Sequence, residues 1–102
     1  MYTLITAANS AQAYNLKSKL NTDNILLGDY FDLPDVMVRS GKMLKLPDPQ
    51  NYSYTHQMLA LCLDKNVNNI YALRKAEADQ LLNAKTLFSE YGIGILVADD
   101  PL

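Results

Sequence analysis

Four short apolar runs recur along this sequence, separated by stretches with helical spacing or by polar loops. The runs that predict buried strands are Tyr2–Thr6, Ile25–Gly28, Ile70–Leu73 and residues 93–98. Strands joined through helices lie parallel in one sheet, with right-handed crossovers. The sequence therefore predicts an α/β fold, a three-layer, Rossmann-like open sheet, mainly parallel, of four or five strands with helices on both faces. We expect Leu4–Thr6 at its centre, with Ile25–Leu27 and Ile70–Leu73 as neighbours.

Three segments carry the apolar stripe of an amphipathic helix. The first follows Asn9 and Ser10, either of which can cap it, and the second follows Ser53, a good N-cap residue. The third is the longest and runs from about Lys75 to Tyr91. Gly92 directly after it is typical of a left-handed C-cap, which ends the helix there.

The stretch from Val36 to Leu46 permits two interpretations. Ser40 and Gly41 form a tight turn, or they mark a break before an edge strand. The Tyr and Met side chains of the 36–54 segment either belong to the core or form a surface for a partner, because both residue types are favoured at interfaces.

Length and charge exclude several functional classes. The 102 residues form one domain, residues 1–102, and nine basic against eleven acidic residues leave a net charge of −2. This balance lacks the basic face of a nucleic-acid-binding protein, so we expect no nucleic-acid partner. The first residues lack the basic region of a signal peptide, and no apolar run is long enough to span a membrane. We therefore expect a cytoplasmic protein with no membrane partner.

The single cysteine, Cys62, lies in the apolar helical stretch "MLALCL" and is expected to be a buried small side chain. A catalytic thiol needs a histidine partner, and the single histidine is His56. Six residues along a helix place the two about 240° apart around its axis. We therefore expect neither a catalytic thiol nor a metal site, and His56 is predicted to be exposed.

The second half of the chain, "KLPDPQNYSYTHQMLALCLDKNVNNIYALRKAEADQLLNAKTLFSEYGIGILVADDPL", carries a family resemblance. It has a proline-ended strand, a Tyr-led helix, an apolar strand, a charged turn into a long helix and a final strand. This order resembles the small N-terminal domain that precedes the ATP-grasp fold in carbamoyl-phosphate synthase large subunits and related carboxylate–amine ligases. The resemblance spans nearly the whole chain and implies a single pre-ATP-grasp-like domain.

Two features depart from that family. Its members begin with a strand followed by a glycine-rich turn, whereas this chain has "TAANSAQA" there, and alanine does not freely adopt positive φ angles. In the family the last strand continues into the ATP-grasp domains that bind ATP and metal, and this sequence stops at Leu102. The resemblance therefore implies a domain without catalytic residues, cofactor or metal of its own.

Ligands of open parallel sheets bind at the carboxyl ends of the strands. Asn9 and Ser10 lie at that edge, where they either cap the first helix or present its N–H groups to an anion. Arg74 and Lys75 follow a strand to the same edge, either as solvated charges with Glu77 as a neighbour or as the cations of that site. Asn9, Ser10, Arg74 and Lys75 are thus the candidate anion-binding rim.

Acidic residues mark the same edge. Asp29 closes the second strand, where nucleotide-binding domains place an acid on a ribose hydroxyl, although no glycine turn precedes it here. Asp99 and Asp100 are expected to form a turn at the chain end in preference to a metal site.

The sequence leaves two candidate functions. The first is a non-catalytic interaction or structural module that binds a partner or forms a homodimer. The second is a substrate- or anion-binding subunit of a split ATP-grasp carboxylate–amine ligase, whose partner is a separate ATP-grasp chain. An independent enzyme is disfavoured, because no paired acid and base, nucleophile and base, or metal spacing is found in the sequence.

Overall fold

A computed structural model of the chain describes residues 1–20 and 22–97. The elements are β1 (Tyr2–Ile5), α1 (Ala11–Leu20), β2 (Ile25–Asp29), α2 (Asp35–Arg39), β3 (Met43–Lys45), α3 (Tyr54–Asp64), β4 (Val67–Ala72), α4 (Lys75–Asn83), α5 (Lys85–Glu90) and β5 (Gly94–Val97). The five strands form one sheet in the order β3-β2-β1-β4-β5, and every neighbouring pair is parallel. The predicted α/β fold with a Rossmann-like parallel sheet is confirmed.

The predicted central strand is also confirmed. In β1, Leu4 lies opposite Leu26 of β2 on one side and opposite Ile70 of β4 on the other. Leu4 and Ile5 are fully buried. A strand segment that is covered on both faces and paired on both edges is apolar, as Leu4 and Ile5 are.

One face of the sheet packs against α3, α4 and α5. Leu4 and Ile70 contribute to this side of the core, which also contains Met58 of α3, Leu81 of α4 and Phe88 of α5. All five side chains are fully buried. Helices that return the chain from β3 to β4 and from β4 to β5 lie on one face because both crossovers move in the same direction and are right-handed.

The opposite face carries α1 and α2. Ile5 and Leu27 pack there with Ala13 of α1, and Met37 of α2 packs against the same cluster. Alternate residues of a strand point to opposite faces, which is why adjacent Leu4 and Ile5 belong to different halves of the core. The sheet therefore has helices on both faces, as the sequence predicts.

The ambiguous stretch from Val36 to Leu46 contains both a helix and a strand. Asp35–Arg39 forms the short helix α2, and Gly41 adopts a φ of 77° before the edge strand β3. The break before an edge strand is therefore the correct interpretation. Met43 and Tyr54 of the 36–54 segment are buried in the core, whereas Tyr52 is 99% exposed.

The long helix predicted for Lys75–Tyr91 is broken, and this prediction was wrong. Ala84 ends α4 and precedes α5, with φ of −106° and ψ of 14°. A straight helix would carry Lys85 on the same stripe as Leu81 and Phe88. The break leaves Lys85 exposed while Phe88 remains fully buried, which avoids the cost of burying an unpaired charge.

The sequence predicts two helix caps, Gly92 at a C-terminus and Ser53 at an N-terminus, and the structure shows only the first as a hydrogen-bonded cap. Gly92 has φ of 76°, its N–H donates to the Ser89 carbonyl, and the N–H of Ile93 donates to the Phe88 carbonyl, both at 3.0 Å. This is the left-handed cap that the sequence predicts. Ser53 does precede α3, but its side chain makes no capping hydrogen bond.

Cys62 and His56 lie where the sequence predicts. Cys62 is fully buried, and burial raises the pKa of its thiol to about 12. A thiol with such a pKa is almost entirely protonated at neutral pH and is a poor nucleophile. His56 is exposed on the same helix.

Among the helices of residues 1–20 and 22–97, none combines the length and apolarity needed to cross a bilayer.

The packing of β2 against the chain after β3 generates the first prediction. A Cβ atom on Gly28 would lie 2.9 Å from Leu46 Cδ2 and 3.1 Å from the carbonyl oxygen of Leu44. We expect Gly28→Ala to lower the free energy of unfolding by about 1–3 kcal/mol, measured by urea denaturation.

Leu46→Ala serves as the background that tests this explanation. Two of the three atoms nearest to the added methyl group belong to the Leu46 side chain. Gly28→Ala should therefore cost less in the Leu46→Ala background than in the parent protein. An equal cost in both backgrounds would show that the clash with Leu46 is not the cause.

Candidate functional site

The strand order reverses between β1 and β4. From β1 the chain proceeds through β2 to β3 on one side, and it then crosses to β4 on the other side. In open α/β sheets the crevice at the carboxyl ends of the two strands at such a point is the usual ligand site. The candidate site is therefore the edge at which β1, β2 and β4 end.

The turn after β1 contains a residue in the left-handed region although it has no glycine. Ala7 has φ of 54°, in the left-handed region, and the N–H of Ala8 donates to the Gly28 carbonyl at 3.1 Å. A left-handed alanine costs roughly 1–2 kcal/mol. Ala7 and Ala8 are both fully buried, so the packing of their methyl groups offsets part of this cost.

Ser10 caps α1. Its side-chain oxygen accepts a hydrogen bond from the N–H of Ala13 at 3.1 Å. The N–H groups of the first helical turn have no carbonyl acceptor within the helix, and the Ser10 oxygen supplies one for Ala13. Asn9, the other cap candidate, is exposed. The cap interpretation of Ser10 is therefore confirmed.

A buried ion pair connects the end of β2 to the start of α4. Arg74 donates through Nε to Asp29 Oδ1 at 3.0 Å and through Nη2 to Asp29 Oδ2 at 2.8 Å. The side chains are 16% and 1% exposed, respectively. The hydrogen bonds to Asp29 raise the pKa of Arg74 above its ordinary value. Both carboxylate oxygens of Asp29 are thus occupied by a protein cation.

The loop after β2 folds over this ion pair. The guanidinium carbon of Arg74 lies 3.9 Å from the centre of the Phe31 ring, a cation–π distance, and the N–H of Phe31 donates to Asp29 Oδ1 at 3.3 Å. Lys45 Nζ donates to the carbonyl oxygens of Tyr30 and Phe31 at 2.7 and 3.0 Å. Two cations from other elements therefore hold the loop in place.

A second carboxyl group, that of Glu77, is buried in the first turn of α4. It is 0% exposed, and Tyr54 of α3 donates its hydroxyl to Glu77 Oε2 at 3.4 Å. Glu77 Oε1 has no hydrogen-bond partner within the described part of the chain. A buried polar atom without a partner favours the neutral acid, which keeps the charge out of the low-dielectric interior.

Burial is the largest cause that raises the pKa of Glu77, to about 7, and the negative charge of Asp29 acts in the same direction. The nearby Thr6 hydroxyl, the charge of Arg74 and the hydrogen bond from Tyr54 lower it by less. Burial and the Glu77 carboxylate together raise the pKa of Tyr54. Glu77 therefore changes its charge near neutral pH.

The four residues of the predicted anion-binding rim lie at the same edge, but three of them already bond to other groups of the protein. Ser10 caps α1, Arg74 is bound by Asp29, and Lys75 Nζ donates to Asp79 Oδ2 at 3.1 Å. Lys75 and Asp79 are both well exposed. Anion binding at Asn9, Ser10, Arg74 and Lys75 stays a prediction, and it would require Arg74 to be shared with Asp29.

Asp99 and Asp100 lie outside the described residues. Across residues 1–20 and 22–97, no three His, Cys, Asp or Glu side chains are grouped closely enough to hold a metal ion.

The burial of Glu77 is not predicted from the sequence, which indicates this residue only as a neighbour of Arg74 and Lys75. In the structure its carboxyl group lies in the core. Glu77, Leu81 and Phe88 occur at i, i+4 and i+11, which is the spacing of one helix face. This periodicity was the signal that could have identified Glu77 as buried.

No family model matches the chain, and no curated protein matches it. The fold and the edge described above define a Rossmann-like α/β domain. The resemblance to the domain that precedes ATP-grasp stays a prediction.

The Asp29–Arg74 pair generates the second prediction. Arg74→Met leaves a buried carboxylate without its cation, so we expect the free energy of unfolding to fall by about 3–5 kcal/mol. Asp29→Asn combined with Arg74→Met removes both charges and should cost less than the sum of the two single variants. Urea denaturation of the four proteins measures this coupling.

Arg39 provides the matched control. It pairs with Asp35 at 3.7 Å, and both side chains are more than 80% exposed. Arg39→Met should change stability by less than about 0.5 kcal/mol, because an exposed ion pair contributes little. Equal losses for Arg39→Met and Arg74→Met would contradict the importance assigned to the buried pair.

Glu77 generates the third prediction, on pH dependence. Its pKa in the folded protein, about 7, exceeds the ordinary value of 4.5, so the folded state binds the proton more tightly than the unfolded chain. Stability should therefore fall as the pH rises from about 4.5 to 7, by a total on the order of 3 kcal/mol. Glu77→Gln, which stays neutral, should remove this decline.

The measurement compares urea denaturation at pH 5 and pH 8. Glu77→Gln should gain stability relative to the parent protein at pH 8 and much less at pH 5. Glu90→Gln changes an exposed glutamate of α5 and is the control for a general charge effect. If the two variants show the same pH dependence, the buried carboxyl group is not responsible.

Proposed function

We propose that this chain is a non-catalytic interaction or structural module, a stand-alone domain of the type that precedes ATP-grasp. The observation that carries the proposal is the Asp29–Arg74 pair closed over by Phe31. At the edge where a Rossmann-like domain ordinarily receives its ligand, the charged groups bind each other.

The position of Asp29 makes a nucleotide an unsuitable ligand. An acid at the end of the second strand serves a nucleotide by accepting hydrogen bonds from ribose hydroxyls. Here both oxygens of Asp29 accept from Arg74, and the side chain is 1% exposed. A ribose would have to displace a charge-assisted, two-point interaction.

The methyl groups of the turn after β1 also argue against a nucleotide ligand. Ala7 and Ala8 occupy the place of the glycines that let a backbone approach a pyrophosphate closely, and both are fully buried. The turn therefore fits packing within the domain better than contact with a dinucleotide.

Exposed apolar side chains support a role in protein interaction. In the 36–54 segment, Val36 is 70% exposed and Tyr52 is 99% exposed. A second surface lies beside α1, where a groove of about 400 Å³ is lined in part by Leu16, Tyr71 and Val97. Exposed aromatic and aliphatic groups of this kind are typical of surfaces that bind a partner.

The proposed partner is a second copy of the chain or a separate ATP-grasp chain. The second candidate function, a substrate- or anion-binding subunit of a split ATP-grasp ligase, is favoured by one observation. The helices α1 and α4 both begin at the edge where the strand order reverses, and helix N-termini at such an edge attract anions.

One set of amide spectra of the ¹⁵N-labelled chain tests both functions and is the fourth prediction. Dilution of the protein from about 1 mM to about 10 µM should shift amides of the 36–54 segment or of the groove beside α1, as a homodimer dissociates. Phosphate, ATP and NAD at millimolar concentration should leave Asn9, Ser10 and Arg74 unchanged.

The opposite pattern would support the anion-binding subunit. Shifts at Asn9, Ser10 and Arg74 with phosphate, lost in Lys75→Ala and Arg74→Ala, would replace the first function by the second. Asp79→Ala provides a control, because it removes the exposed partner of Lys75 and leaves both cations of the rim. Spectra that do not change on dilution, together with a monomer mass by sedimentation equilibrium, would exclude the homodimer and leave the separate ATP-grasp chain as the partner.

A further inference from the structure

Two buried carboxyl groups, those of Asp29 and Glu77, lie near the Arg74 cation at the start of α4. Arg74 binds both oxygens of Asp29, which comes from the end of β2. Arg74 is the N-cap residue of α4 in an extended conformation, Glu77 is the third residue of the helix, and Glu77 Oε1 is buried without a hydrogen-bond partner among the described residues. The charge of Arg74 acts on both acids, and the two acids repel each other.

The remaining groups that face Glu77 are neutral donors. Thr6 faces it from the end of β1 and Tyr54 faces it from α3, and the phenol of Tyr30 responds to its charge from the loop after β2. With Glu77 protonated, the charges of Asp29 and Arg74 cancel. With Glu77 ionised, the cluster has two negative charges and one positive charge in a largely dry interior, where repulsion between like charges is strong.

The loop after β2 depends on the position of the Arg74 guanidinium. The Phe31 ring lies on it at 3.9 Å, and the N–H of Phe31 binds the same Asp29 oxygen that accepts from Arg74 Nε. A guanidinium that turned from Asp29 toward Glu77 would leave the Phe31 ring without its cation. The loop would then be held chiefly by the bonds from Lys45.

We propose that Glu77 and Asp29 compete for Arg74, so that release of the Glu77 proton to solvent draws the guanidinium from Asp29 and loosens the loop of residues 30–34. The switch acts on the same Asp29–Arg74 pair and Phe31 ring that support the proposed function, and it adds a pH response to them. In the protonated state the loop is closed over Arg74. In the ionised state Arg74 is divided between two carboxylates and the Phe31 ring is released.

The test follows the ¹³C,¹⁵N-labelled chain by NMR from pH 5.5 to pH 8.5, and it is the fifth prediction. The Nε–H signal of Arg74, the ring protons of Phe31 and the side-chain carboxyl carbon of Glu77 should shift with one common midpoint. Exchange of the Phe31 amide hydrogen, corrected for its intrinsic pH dependence, should accelerate at least about tenfold over this range as the loop opens locally.

Two variants separate the switch from a general effect of pH. Glu77→Gln should abolish the shifts at Arg74 and Phe31 and hold the exchange rate at its low-pH value. Tyr54→Phe is milder: it removes a donor that favours the Glu77 carboxylate, so the common midpoint should move to higher pH at all three sites together. It keeps the test decisive if Glu77→Gln does not fold.

Three results would overturn the proposal. The first is an unchanged titration of Arg74 and Phe31 in Glu77→Gln. The second is titration of Glu77 with no response at Arg74. The third is a Tyr54→Phe variant in which the midpoint of Glu77 moves without those of Arg74 and Phe31. Glu90→Gln, on the exposed side of α5, should reproduce the parent curves.

Discussion

The ion pair between Asp29 and Arg74 is the interaction on which the candidate edge of the sheet depends. It joins residues 45 positions apart in the chain, and it fixes the end of β2 to the start of α4. A buried pair is not in itself a large source of stability, because both charges lose their hydration. Its importance lies in geometry: each charge is acceptable only while the other is present, so the two elements must meet in this one arrangement.

This pair also explains why the edge differs from a nucleotide site. The parallel sheet, the reversal in strand order and the left-handed turn after β1 are all present. The turn is built from buried alanines, and the acid that would hold a ribose is bound by Arg74 under Phe31. At this edge the charged groups therefore bind each other within the domain.

Glu77 adds a second buried carboxyl group to this edge. Its position in the first turn of α4 favours the carboxylate through the helix dipole, while burial and the charge of Asp29 favour the neutral acid and are stronger. The result is a core carboxyl group that titrates near neutrality beside an ion pair whose cation it can attract. Protonation of Glu77 therefore links three properties of this edge: its net charge, the position of the loop after β2 and the stability of the fold.

The sequence by itself determined the sheet and most of its order. Apolar runs and helical stripes are local patterns, and the right-handed crossover rule converts them into a parallel sheet with Leu4–Thr6 at the centre. Gly92 ended its helix because only a local left-handed conformation was required. Tertiary structure alone decided the break at Ala84, the pairing of Arg74 with Asp29 and the burial of Glu77. Each of these depends on which side chains from distant segments meet in the core, and the balance of charge burial against packing there has no counterpart in a local pattern.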